Sequence, residues 1–160
     1  MLRIRFWLAA LIAGLVLSGV TAFPLEGELR LLVSVLHAGP VRPIANVAHL
    51  LPWVERVSQA LAATNSTHPF LSYGTDWLAF AHLIIAIAFI GPFLDPVRNK
   101  WLITFGLIAC AGVVPLALIA GHVRGIPLGW RFVDCCFGIC GAVPLLVCRR
   151  SIRALERGRP

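Results

Sequence analysis

Apolar residues gather into four long blocks, spanning about 6–23, 77–94, 101–121 and 132–148, and the stretches between the last three are short and carry proline, glycine and charge. Each block approaches the ~20 residues that a helix rising 1.5 Å per residue needs to cross the hydrocarbon of a bilayer, the fourth being short and glycine-rich. The pattern predicts an all-α chain, one integral membrane domain built as a four-helix bundle. Trp7, Trp77, Trp101 and Trp130 fall at or beside the block ends, where an amphipathic ring prefers the headgroup region.

Residues 24–74 break this pattern. They are too many for a tight connection and too apolar for a disordered linker, which predicts a segment folded against the outer membrane surface. Ile44, Val47, Leu50, Leu51, Val54, Val57 and Leu61 recur at helical spacing as one amphipathic stripe, with Pro52 as the expected kink, and a shorter apolar piece covers 29–36. The stripe suits a helical connector resting in the interface, and the functional reading is a lid or docking surface above the bundle. Tyr73-Gly74-Thr75-Asp76-Trp77 reads as a turn and helix start, with Thr75 or Asp76 as cap. Asn65-Ser66-Thr67 matches a glycosylation acceptor, a match without weight in a bacterial protein.

Composition agrees with the pattern. Of 160 residues, 59% are hydrophobic and 13% charged, and the mean hydropathy is +0.86. That is more apolar surface than one small water-soluble core buries. The net charge of +7 follows topology rather than nucleic acid, since nine basic residues (Arg3, Arg5, Arg98, Lys100, Arg149, Arg150, Arg153, Arg157, Arg159) fall on one side of the blocks. Five (Arg30, Arg42, Arg56, Arg124, Arg131) fall on the other. Both termini, including a tail over 149–160, are expected in the cytoplasm. Thirteen arginines against one lysine point to a bacterial inner membrane. The start also fits a secretory signal peptide cut after Ala22, which would leave three spans and an outward N-terminus.

Polar groups at membrane depth are functional candidates by default. His82 lies ~9 Å along its helix from Asp76, flanked by Ala79 and Ala86. Asp134, Gly138, Gly141 and Leu145 share a face of the fourth span, and Gly106, Cys110, Ala117 and Gly121 a face of the third. If those small-residue faces meet, His82, Asp134, Asp76, Arg124 and Arg131, with Tyr73 nearby, converge on one outward-facing pocket. Such a pocket suits an anionic or quinone-like ligand or a proton-handling pair, and it also suits a structural ion-pair network tying the helix ends. Cys136 and Cys140 share a helical face that a soft ion such as Cu(I) prefers, but free cysteine is also a small buried hydrophobe. His82 and His122 sit at poorly matched depths for haem. No cofactor, metal or catalytic residue is therefore assigned, and no nucleotide loop or HExxH occurs.

At "SGVTAFPLEGEL", "YGTDWLAFAH", "DPVRNKW" and "GWRFVDCCFGICGAVPLL" the chain resembles small four-span inner-membrane proteins of bacteria of unknown function. The resemblance implies the topology and brings no residue roles. The expectation is a non-enzymatic multi-pass membrane component or accessory subunit, with the lipid bilayer, a second copy or a larger membrane protein as partner and no nucleic acid. The alternative is a ligand-binding, transport or redox protein using the His/Asp/Arg pocket.

Overall fold

The computed structural model describes residues 1–38 and 50–157, and every described element is helical. In chain order these are α1 (Leu2–Ala22), α2 (Leu25–His37), α3 (Leu50–Thr67), a 3-10 turn (Pro69–Ser72), α4 (Tyr73–Ala88), the short α5 (Ile90–Leu94), α6 (Lys100–Val123) and α7 (Leu128–Arg157). Four helical stretches are long and apolar enough to cross a membrane: Leu2–Ala22, Pro69–Leu94, Lys100–Val123 and Leu128–Arg157. Their bounds contain the four apolar blocks read from the sequence, apart from the last residue of the first block, Phe23.

The helices do not pack in chain order. α1 lies between α4 and α7, and α7 packs against α6, while α4 and α6 have no extensive interface. Their link comes at one end, where Phe89, at the end of α4, approaches Gly106 of α6. Ile4, Leu8, Phe89, Ile103, Leu145, Cys148 and Ile152 form one buried cluster there, joining all four apolar helices. This end also gathers Arg3, Arg5, Arg98, Lys100 and the arginines of late α7, so it is the basic end of the molecule. α7 continues nine residues past Cys148 because Ile152 is buried and Leu155 packs beside it, and Lys100 Nζ meets Glu156 Oε1 at 2.8 Å. The basic residues predicted to form a tail are thus, through Arg157, part of a helix.

Small residues set the interhelical spacing. A methyl group built on Gly138 would stand 2.6 Å from the Cys110 carbonyl oxygen, and one on Gly141 3.0 Å from the Cys110 Sγ. The small-residue faces read on the third and fourth spans do meet, because only glycine lets the α7 backbone approach α6 this closely. A third contact of this kind sets Gly19 of α1 against the Ala79 carbonyl oxygen of α4, 2.9 Å from where a Cβ would lie.

At the opposite end α2 and α3 form an antiparallel pair. Leu29 of α2 and Leu51 and Val54 of α3 are buried. The described part of the stripe therefore turns toward its neighbouring helix. Ile44 and Val47 lie outside the described residues, and with them the segment that a kink at Pro52 would set apart. Pro24, which lacks an N–H and restricts the residue before it, separates α1 from α2.

Candidate functional site

The six residues expected to converge are distributed over helices that do not all touch. Tyr73, Asp76 and His82 belong to α4, Asp134 and Arg131 to α7, and Arg124 follows α6. With α1 between α4 and α7, the two groups flank a common neighbour instead of facing each other. Among the described residues, no hydrogen bond or ion pair joins any two of the six: the ion pairs are Arg30 with Glu26, His37 with Glu55 and Lys100 with Glu156.

Asp134 is half-buried on α7 and forms no ion pair among the described residues, and the other five have separate local settings. His82 is half-buried between the buried Ala79 and Ala86, and its Nδ1 lies 2.8 Å from the Leu78 carbonyl oxygen one turn back. A carbonyl only accepts, so Nδ1 donates this bond. Tyr73 is exposed and stands edge-on to Trp77, which in turn meets Phe80 edge-on. Asp76 lies in the first turn of α4, where a carboxylate suits the helix dipole. It is not the cap, and neither is Thr75, whose hydroxyl donates to the Ser72 carbonyl at 2.6 Å. The 3-10 turn Pro69–Ser72 carries the chain into α4, so the helix starts at Tyr73 and Ser72 takes the N-cap position.

Arg131 is the best defined of the six. α6 ends on Gly125 at φ +67°, with the Ile126 N–H donating to the Gly121 carbonyl at 2.9 Å and the Gly125 N–H to that of His122 at 3.1 Å. These paired bonds satisfy carbonyls that the helix end leaves open, and the left-handed φ favours glycine there. Arg131 Nε donates to the Ile126 carbonyl at 2.9 Å, and its methylenes lie over Gly121, where an added Cβ would stand 2.7 Å away. The guanidinium thus clamps the α6–α7 connection. Arg124 borders a shallow apolar groove on α6 with Pro115, Leu116, Ile119, Ala120 and Val123.

Sequence reasoning overlooked a polar network outside the long apolar helices. Asn65 Nδ2 donates to Glu26 Oε2 at 2.9 Å, Asn65 Oδ1 accepts from the Ser72 hydroxyl, and Glu26 Oε1 pairs with Arg30 at 3.1 Å. One asparagine thereby ties the start of α2, the end of α3 and the turn into α4. The glycosylation-like triplet drew attention to Asn65 for a different chemistry, and nothing local marks its pairing with Glu26, 39 positions away.

Among the described residues no group of three or more His, Cys, Asp or Glu side chains is placed to hold a metal ion. All five cysteines are free: Cys135 and Cys148 are buried, Cys110 is half-buried, and Cys136 and Cys140 are exposed on α7. No family model, curated protein or solved structure matches the chain.

Proposed function

We propose that this chain is a small multi-pass protein of a bacterial inner membrane, with four spans and both termini in the cytoplasm, that acts as a non-enzymatic component through helix association. The membrane reading is supported by the exterior of the apolar helices, where Leu17, Leu78, Ile87, Ile108, Ile119, Phe137 and Ile139 are all exposed. In water such a surface drives aggregation, whereas in lipid it is the solvated face. The basic end supports the orientation, and exposed Trp77 and Trp101 suit the two headgroup layers. α1 is retained as a span in this reading, since Ile4 and Leu8 are among the most buried side chains. The α2–α3 pair then rests on the outer surface, where exposed Leu31 and Val35 reach the interface.

One observation carries the association. Ala10, Gly14 and Ser18 are exposed at four-residue intervals on α1, and nothing stands within 4 Å of a Cβ built on Gly14. A central helix that presents a smooth small-residue face away from its own bundle has the shape by which membrane helices pack closely. A second copy, or a span of a larger membrane protein, fits that face.

Native mass spectrometry in mild detergent, paired with cross-linking in membranes, tests this. The expected result is an oligomer or stoichiometric complex that Gly14→Leu disrupts, while Gly112→Leu, at an equally open position on α6, leaves it intact. A monomer in detergent whose cross-linking in membranes is indifferent to Gly14→Leu overturns the association.

A further inference from the structure

The first turn of α6 and the last turns of α7 enclose an open groove of about 380 Å3, lined by Lys100, Arg149, Arg153 and Glu156 with Trp101 and Thr104, over a floor of Ile103 and Ile152. The floor is fixed, because Ile103 and Ile152 are 1% and 3% exposed in the buried cluster. The charges above it do not balance. Glu156 is taken by Lys100 at 2.8 Å, while Arg149 and Arg153 form no ion pair among the described residues. Those two arginines stand one turn apart on α7 and line the same concavity, and like charges at that spacing repel. An anion with several acceptor oxygens relieves this, and guanidinium groups match phosphate geometry.

A second feature indicates what the phosphate is attached to. Trp101, Phe105 and Ile108 follow one another at helical spacing from the groove along α6, and each is exposed. A charged recess continuous with an exposed apolar track matches an amphiphile, with the headgroup in the recess and an acyl chain on the track.

We propose that this groove binds the phosphodiester headgroup of an anionic phospholipid of the cytoplasmic leaflet, with Arg149 and Arg153 holding the phosphate and Lys100 adding charge from the facing helix. The proposal rests on the membrane orientation given above. Basic recesses between helices on that side are a recurrent chemistry for such headgroups.

The test uses the full chain reconstituted in phosphatidylcholine with or without phosphatidylglycerol, extracted in mild detergent, with retained lipid counted by native mass spectrometry. One phosphatidylglycerol per chain is expected, reduced about tenfold or more in Arg149→Gln/Arg153→Gln, as the loss of two charge-assisted contacts implies. Arg3→Gln/Arg150→Gln removes the same charge from the same end outside the groove and is expected to retain the lipid. If the glutamine pair fails to fold, Arg149→Lys/Arg153→Lys keeps the charge, and its loss of the planar fork is expected to lower retention by about several-fold. Equal loss in the Arg3/Arg150 pair, or equal retention of phosphatidylcholine, overturns the proposal. So does inorganic phosphate that displaces the lipid stoichiometrically and binds alone, which assigns the groove to a soluble anion. Alkaline extraction of membranes separates the two levels: release of the chain defeats the membrane reading, whereas a chain that stays in the membrane without lipid selectivity defeats the groove alone.

Discussion

Gly138 and Gly112 lie on facing helices and differ in what surrounds them. An added methyl at Gly138 meets the Cys110 backbone, which cannot rotate away, whereas at Gly112 nothing stands within 4 Å. Gly138→Ala is therefore expected to cost about 1–3 kcal/mol, and Gly112→Ala to be neutral or to gain up to about 1 kcal/mol from helix propensity. Thermal melts of the two variants in the same detergent check the contrast. The sequence placed Gly138 on a packing face correctly through its spacing, but the spacing alone does not reveal that Gly112 has no neighbour. At His82, replacement by Ala removes one local bond to Leu78 and is expected to cost about 1 kcal/mol without releasing any bound molecule. A stoichiometric adduct present in the parent and absent from that variant by native mass spectrometry contradicts the structural role given to His82 here. Its position between two alanines was legible in the sequence. Its distance from Asp134 was not, because that depends on which helices become neighbours.

The α2–α3 pair is held to the rest through Asn65, whose amide serves Glu26 and Ser72 together. Asn65→Ala is expected to loosen this pair by about 1–2 kcal/mol through its two lost bonds, while the four apolar helices keep their packing. Hydrogen exchange is the suitable readout, with protection falling in 25–37 and 50–72 and unchanged in α1, α6 and α7. The His37–Glu55 contact at 2.8 Å also joins α2 to α3, but both side chains are more than a third exposed, so Glu55→Gln is expected to change stability by less than about 1 kcal/mol. Apolar periodicity revealed the described helix faces here. The polar pairs remained hidden because asparagine, glutamate and serine carry no period, and their partners lie far apart in the chain.

The arrangement of the whole molecule turns on α1. Because it stands between α4 and α7 and supplies Ile4 and Leu8 to the buried cluster, removing residues 1–22 is expected to abolish folding rather than leave a three-helix remainder. Expression of the truncated chain, followed by size-exclusion chromatography in detergent, checks this, with a monodisperse folded species as the contrary result. The mass of the full chain after expression bears on the same point, since a retained first helix leaves Ile4 and Leu8 in the product and cleavage after Ala22 removes them.

The sequence by itself determined that the chain is helical and that four of its helices are apolar along a bilayer's thickness. It also placed Ala79, Ala86, Gly106, Gly121 and Gly138 on packing faces, since hydrophobicity and its period belong to each segment alone. Only the tertiary structure decided the neighbours: α1 in the middle, α4 and α6 apart except at Phe89, and Arg131 over Gly121. It likewise decided that Lys100, Arg149 and Arg153 line one groove although the α6 and α7 residues that form it are about 50 positions apart. Side-chain pairs of that kind depend on helix order and rotation, which packing of the glycine faces sets and which no single segment encodes.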